Sequence, residues 1–498
     1  MKKHFITLLL LCSCLFCFTQ TVNTITPLQK LKLYIEVLKK DPELKHASWG
    51  VMVQNAKTGE VIVDHNSEAT LTPASSLKVV TTAAGLCILD SGYTYLTKLE
   101  YDGTFDSISG ILKGNLYIKG SGDPTIDSQY FKEQARGKKD TISTLNKWAK
   151  ALKTKGVKSI DGSIIADASA FDDDMIPTTW IWGDIGNYYG AGASALTYHD
   201  NLYSLYFRSE SSGDSTFIDS IKPTLPNFTI KNYVKAGGSD DNAYIFGAPY
   251  VNERYVNGTI PASKKGFDVN GSIPDPPYFM AYQLEQTLKH EGIYVSKQAT
   301  TVRQLKLNNE YKPGLRQTLY VHTSPPLKKI VNWTNLISNN LFAEHVLKTI
   351  AFNKTGFGSE AVGINEVVKF WSSKGMDTKG LSMYDGCGLS RYNAITSKQL
   401  SNVFYLMTKE KMYPAFYNSL PVAGKSGTMS NLCKGTCAEN NIHAKSGSIS
   451  KVRSFAGYAT TKKGNQVCFA LLFNNFDCSS SEMKQKLEKL MVMIAELE

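Results

Sequence analysis

Three short patterns in this chain hold the residue types that acyl transfer requires. The first is Ser75-Ser76-Leu77-Lys78. On a helix, positions three apart share a face, so Lys78 would lie beside the Ser75 hydroxyl. A neutral lysine in a dry pocket can take the serine proton and leave a nucleophile. The N-terminus of such a helix adds partial positive charge where an oxyanion would develop. The spacing alone does not select Ser75, because Ser448/Lys451 and Ser481/Lys484 repeat it. Most such pairs are solvated surface.

The second pattern is Ser338-Asn339-Asn340, and no other Ser-x-Asn occurs. Ser338 could relay a proton to a leaving amine. The Asn340 amide could hold a substrate backbone together with Lys78. A helix N-cap explains the same residues equally well. The third pattern is Lys445-Ser446-Gly447-Ser448. A fixed cation and hydroxyls suit a substrate carboxylate, and Gly447 allows a backbone to come close. Lys-Ser/Thr-Gly also occurs at Lys57, Lys354 and Lys425. Lys57 reads as a hairpin turn and Lys354 as the stop of a helix. Lys425, in Pro421-Val-Ala-Gly-Lys-Ser-Gly-Thr428, is the serious competitor. Lys445 is preferred because a β-rich stretch follows it directly.

The elements that must carry these residues are legible as periodicity. Trp49 to Gln54 and Val61 to Asp64 are β-rich, with Asn55 to Glu60 as the turn between them. A helix is predicted over about Ala74 to Leu89, with Pro73 near its start. Asn335 to Phe352 and Ser359 to Lys374 read as helices, and Ser479 to Leu497 as an amphipathic one. Arg453 to Thr460 and Gln466 to Phe473 read as a hairpin. Residues 101 to 309 show short strands, Gly/Asp/Ser turns and few long helices. No internal repeat or low-complexity linker occurs.

Met1-Lys2-Lys3-His4 followed by the apolar run Phe5 to Phe18 is a secretory leader pattern. The run is short of the roughly 20 residues that a membrane span needs. Cleavage is expected near Gln20, giving an extracytoplasmic or periplasmic protein without an integral span. An uncleaved anchor, or a lipoprotein suggested by Leu11-Cys12-Ser13-Cys14, is the alternative. The formal net charge is +11, of which Lys2 and Lys3 would leave with the leader. The basic residues are scattered, with no nucleic-acid-binding signature, so no nucleic-acid partner is expected. The chain is long enough for two or three domains. Cys12, Cys14 and Cys17 lie in the leader. Cys87, Cys387, Cys433, Cys437, Cys468 and Cys478 remain. An even number in an exported chain permits disulfides, and Cys433 could pair with Cys437. The dispersed histidines, the lack of His-Glu-x-x-His and the lack of Cys-x-x-Cys after the leader point to no metal and no cofactor.

In this order the three patterns resemble the penicillin-recognising serine enzymes, among them penicillin-binding proteins and serine β-lactamases. Further residues narrow the resemblance. Gly120-Ser-Gly-Asp-Pro-Thr125, Pro421-Val-Ala-Gly424 with Gly427-Thr428, and Asp385-Gly-Cys-Gly-Leu-Ser-Arg391 look like the class C low-molecular-mass penicillin-binding proteins. These are D-alanyl-D-alanine carboxypeptidase/endopeptidases of the penicillin-binding protein 4 type. The resemblance runs from about Trp49 to the C-terminus. It departs at Cys387, where Ser is usual, and at Ser446, where Thr is commoner. The Cys433–Cys437 loop looks peculiar to this chain.

The resemblance implies an α/β (α+β) serine β-lactamase/D,D-peptidase (transpeptidase-like) fold. An antiparallel sheet flanked by helices would carry large, mainly β inserted domains. After a leader over 1–20, the catalytic domain would comprise 21–100 plus 310–498, with accessory domains over 101–309. The separation of about 260 residues between Ser75 and Ser338 agrees. Ser75 would attack the carbonyl of a penultimate D-alanine in peptidoglycan peptides, with Lys78 as base. Ser338 and Asn340 would complete the proton path, and Lys445 would stabilise charge. The Ser446 and Ser448 hydroxyls would hold the terminal carboxylate beside Gly447. Asp184 would pair with a stem-peptide amine, with Tyr189 and Leu389 as apolar walls. β-Lactams would acylate the same serine. A serine β-lactamase and an inactive wall-binding module stay open as alternatives. Against the first, a Glu-x-x-Leu-Asn loop after the nucleophile is absent.

Overall fold

The computed structural model describes residues 25–132 and 143–498. The leader read over residues 1–20, with Cys12, Cys14 and Cys17, lies outside the described residues. Among the described residues no helix is long and apolar enough to cross a membrane.

The frame of the molecule is a five-stranded antiparallel sheet built from both ends of the chain. Its strand order is Val61–His65, Ser48–Asn55, Gln466–Asn474, Val452–Thr460, His443–Ile449. Both faces are covered, so the inner strands are apolar almost throughout. Gln466–Asn474 is buried along nearly its whole length. One face packs against the helices Pro27–Lys39 and Ser480–Ala495, burying Leu31, Ile35, Leu487 and Met491. The other face packs against Lys78–Leu89, Leu327–Leu336, Asn340–Thr355 and Ser397–Met407. Lys78–Leu89 lies at the centre of that second layer. Its glycine, Gly85, lets Val346 approach so closely that an added Cβ would stand 2.5 Å from that side chain.

The segment from Leu96 to Thr323 forms two further cores. A five-stranded mixed sheet runs Thr300–Thr301, Ile164–Asp167, Leu116–Lys119, Leu96–Tyr101, Gln317–Thr323, against the helices Thr144–Thr154 and Pro276–His290. Beyond it, two three-stranded sheets face each other as a small sandwich around Leu205, Phe207, Val234 and Val256. This block is richer in helix than its composition suggests. Its Pro276–His290 helix begins at Asp275, whose side chain accepts from the Tyr278 backbone N–H, with prolines in the first turn. The strand pairs Leu116–Lys119/Ile164–Asp167 and Ile111–Lys113/Ser159–Asp161 are parallel.

Two local expectations are corrected. The helix read over Asn335 to Phe352 is two helices, Leu327–Leu336 and Asn340–Thr355, because Ser338 has a left-handed φ of 62° between them. Lys354 lies inside the last turn, and Gly356, at φ 79°, ends that helix. All six described cysteines are free thiols, with Cys433 buried and Cys437 exposed.

The helix Glu360–Ser373 braces the Lys78–Leu89 helix through Trp371. That ring is fully buried and donates from Nε1 to the Val80 carbonyl at 3.1 Å. Trp371→Ala is expected to lower the unfolding free energy by about 3–5 kcal/mol, measured by urea unfolding.

Candidate active site

The turn before the Lys78–Leu89 helix sets the first pair. Ala74 adopts a positive φ of 48°, and Ala74–Leu77 form a 3₁₀ turn that continues into the helix. In that tighter coil residues three apart eclipse, which stacks Ser75 over Lys78. The Lys78 Nζ donates to Ser75 Oγ at 3.0 Å, Asn340 Oδ1 at 2.6 Å and the Cys387 carbonyl at 2.7 Å. Three acceptors match the three protons of an ammonium. Lys78 is nevertheless 0% exposed. Burial lowers its pKa, opposed by the acidic groups Cys387, Asp385 and Glu344 nearby. The amine is thereby shifted toward the neutral form that can accept the Ser75 proton.

Ser338 sits in the break between two helices. Asn339 caps the second of them, its side chain accepting from the Phe342 N–H at 3.0 Å. The capping reading and the chemical reading are therefore both satisfied, by different residues of one tripeptide. Asn340, the first helical residue, directs Oδ1 to Lys78 and Nδ2 to the Tyr189 carbonyl at 2.8 Å. The Lys445 Nζ donates to Ser338 Oγ at 2.8 Å and to the Ser446 carbonyl at 2.7 Å. Lys445 is also fully buried. Burial, then the charge of Lys78, push its pKa well below the usual lysine range. The two amines meet neighbouring residues of one tripeptide, Lys78 at Asn340 and Lys445 at Ser338.

The strand His443–Ile449 closes the site and is the free edge of the central sheet. It packs directly on the Ser75 turn. A Cβ on Gly447 would stand 2.4 Å from the Pro73 carbonyl and 2.9 Å from the Ser76 nitrogen, so only glycine permits the approach. The Pro73 carbonyl also accepts from Ser76 Oγ at 2.8 Å and Ser454 Oγ at 2.6 Å. Ser446 donates to Thr428 Oγ1 at 2.8 Å, and Ser448 is exposed farther along the same strand. Lys425, the competing lysine, is exposed. Lys445, not Lys425, contacts Ser338.

Behind Lys78, Glu344, Asp385 and Cys387 hold ligand-type atoms within 4.8 Å of one another, the one such grouping among the described residues. Their hydrogen bonds give them a different task. Asp385 accepts from Gly388 N at 2.7 Å, Ser390 N at 2.6 Å, Asn393 Nδ2 at 2.8 Å and Trp180 Nε1 at 2.9 Å. Glu344 accepts from Gly386 N at 2.9 Å, and burial pushes its pKa up to about 8. Burial likewise holds the Cys387 thiol protonated. The three groups brace the loop whose Cys387 carbonyl fixes Lys78.

Asp184 and Tyr189 reach this site from the Leu96–Thr323 block. Tyr189 donates its hydroxyl to Asp184 Oδ1 at 3.3 Å. Burial raises the Asp184 pKa, against Tyr189 and the Arg391 charge. Leu389 is half-buried beside Trp180, Ala343 and Cys387. The geometry also recruits groups that motif reading left out. Thr428 had a signal in Gly427-Thr428. The carbonyls of Tyr189 and Cys387 had none, because a backbone acceptor has no residue-type signature.

Comparison with known proteins gives consistent matches. The family model described as D-Ala-D-Ala carboxypeptidase 3 (S13) matches residues 31–497. A D-alanyl-D-alanine carboxypeptidase from Actinomadura sp. (strain R39) is 26% identical over 459 residues, covering 90% of this chain and 81% of the relative. The D-alanyl-D-alanine carboxypeptidase DacB of Haemophilus influenzae is 25% identical over 452 residues, covering 88% and 87%. The crystal structure of penicillin binding protein 4 from Haemophilus influenzae matches with a TM-score of 0.75 at 22% identity, covering 92% of this chain and 97% of that one.

The depressed Lys78 pKa carries a sign. The neutral base accumulates as pH rises through that pKa, so acylation of Ser75 should increase with pH below the ordinary lysine range. Lys78→Arg stays protonated and should cut acylation about 10²-fold or more across neutral pH, read by stopped-time labelling with an acylating serine reagent. Unchanged labelling would remove Lys78 as the base.

Proposed function

The chain belongs to the D-Ala-D-Ala carboxypeptidase 3 (S13) family, and we propose that it is a serine D,D-peptidase using Ser75. Its substrates are peptidoglycan stem peptides ending in D-alanyl-D-alanine. The observation that carries this reading is the 3.0 Å contact between the Lys78 amine and the Ser75 hydroxyl, beside the Lys445–Ser338 contact.

In the proposed acylation, Ser75 Oγ attacks the carbonyl carbon of the penultimate D-alanine. The hydroxyl proton passes to Lys78 Nζ. The backbone N–H groups of Ser75 and Ser448 receive the oxyanion, and losing one such donor typically costs about 10²–10³ in rate. Ser338, polarised by Lys445, hands its proton to the departing D-alanine nitrogen and is reprotonated by the proton that Lys78 accepted, which returns Lys78 to the neutral amine. Asn340 keeps Lys78 aimed. The terminal carboxylate docks on the Ser446 and Ser448 hydroxyls, with Thr428 and the Lys445 charge close by. Water then attacks the ester, the neutral Lys78 takes its proton and passes it to the departing Ser75 oxygen, and the carboxylic acid product and the free Ser75 hydroxyl result. The same chemistry applies to a D-alanyl cross-link, so endopeptidase action on cross-links is part of the proposal. A β-lactam amide would acylate Ser75 in the same way and leave slowly.

Under this reading the accessory domains expected over 101–309 extend from Leu96 to Thr323, because Gln317–Thr323 pairs with Leu96–Tyr101 in their sheet, and the flanking segments form the catalytic domain. The leader at Met1 to Gln20 would deliver the enzyme outside the cytoplasm, where its substrate is. Asp184, set beside Tyr189, would receive the free amine of a diamino-acid side chain.

Ser75→Ala should abolish D-alanine release from a soluble pentapeptide and leave the thermal unfolding midpoint unchanged, by mass spectrometry and calorimetry. Residual release at the wild-type rate would refute the nucleophile. Rapid nitrocefin turnover would favour a β-lactamase instead. Asp184→Asn should raise KM about tenfold for a stem peptide with a free side-chain amine, with kcat little changed. The N-acetylated peptide should show no such difference between the two proteins.

A further inference from the structure

One face of the small sandwich in the Leu96–Thr323 block carries exposed aromatic side chains. Its outer sheet runs Thr229–Ala236, Glu253–Ile260, Tyr244–Phe246. Alternation sends Val234, Val256, Ile260 and Ile245 inward, to the sandwich core. The opposite face carries Tyr233, Tyr244, Phe246 and Tyr255. Tyr233 is 58% exposed, Tyr244 48% and Tyr255 36%. The register sets Tyr255 opposite Phe246, and Asn257 opposite both Tyr233 and Tyr244. The exposed aromatics are thus a designed row, not scattered single residues.

The row continues toward the active site. Tyr233 and Tyr255 ring centroids lie 6.3 Å apart, and Tyr255 stacks on Phe246 at 4.8 Å and 11°. Phe246 lies 6.4 Å from Trp182, itself 50% exposed. Trp182 opens the helical turn Trp182–Ile185, which carries Asp184. Tyr189 contacts Asp184 through its hydroxyl and Asn340 through its carbonyl. An unbroken series of contacts therefore leads from Tyr233 to the amide that holds Lys78.

We infer that this aromatic row binds the glycan strand of peptidoglycan, the polymer that carries the stem peptide. The inference rests on the peptidase reading of Ser75 for its direction. Its chemistry comes from the face itself. The outward residues of the three strands are aromatic, amide, hydroxyl or charged, and none is aliphatic. Aromatic side chains mark protein interfaces as well, so the choice of sugar is carried by the continuity of the row with the cleft that takes the peptide of the same polymer. A sugar ring offers C–H groups on its faces and hydroxyls on its rim. The electron-rich faces of Tyr and Phe suit the former, and Asn257, Thr259 and Lys235 suit the latter. Peptide in the cleft and sugar on the row would be held together, as two linked sites on one polymer.

The test separates binding from catalysis. Wild-type protein, Tyr233→Ala, the Tyr233→Ala/Tyr255→Ala pair and the corresponding Phe variants are sedimented with intact sacculi. Peptide-free glycan strands serve as competitor. Cleavage of sacculi and of a sugar-free pentapeptide is measured in parallel. The wild-type and Phe variants should sediment and be displaced by glycan. The Ala pair should lose about fivefold or more in bound fraction and in sacculus cleavage, and Tyr233→Ala a smaller part of it. Pentapeptide kcat/KM should stay within about twofold in every variant. Full retention by the Ala pair, or no displacement by peptide-free glycan, would overturn the inference. Failure of wild-type protein to cleave pentapeptide would instead strike at Ser75, since sedimentation needs no catalysis.

Discussion

Two lysine amines withdrawn from water into one site are the constraint around which this protein is built. An ammonium buried without partners costs several kcal/mol. Lys78 and Lys445 are both fully buried, and the charge of Lys78 further disfavours charge on Lys445. The structure resolves this with fixed oxygens and little space. Ser75, Asn340 and the Cys387 carbonyl surround one amine. Ser338 and the Ser446 carbonyl take the other. Those acceptors come from four distant parts of the chain, so the amines stay matched only while the whole frame is folded.

The frame supplies that convergence by geometry more than by flexibility. The Ser75 turn is clamped between the edge strand, where Gly447 admits contact, and the Gly388 loop, where a Cβ would meet the Ala74 carbonyl at 1.9 Å. The Asp385–Glu344–Cys387 brace then holds the loop that fixes Lys78. Pre-organised dipoles of this kind act most strongly where water is excluded. Tyr189 ties the accessory block to the same network through Asn340. A segment distant in sequence from Ser75 thus takes part in holding Lys78, through Asn340.

Much of this was legible in the sequence. Ser75/Lys78, Ser338/Asn340 and Lys445 meet in one site, and the antiparallel sheet with helices on both faces is present. Patterned strands such as Gln466–Asn474 are readable because burial writes itself into residue type. The break at Ser338 was not readable, since Ser and Asn tolerate both helix and left-handed backbone. The Pro276–His290 helix was missed by weighting the β-rich character around it, although its Asp-Pro-Pro start was a usable signal. Backbone acceptors at Cys387 and Tyr189 leave no mark in sequence. Neither does the pairing that aligns Tyr233, Tyr255 and Phe246, because register is a property of two strands together.

The most direct measurement is the site of covalent attachment. The protein is incubated with a β-lactam, quenched, digested and mapped by tandem mass spectrometry. The account predicts one adduct of the intact β-lactam mass, on the Ser75 hydroxyl. An adduct on another side chain, or none under conditions where the protein is folded, would contradict it.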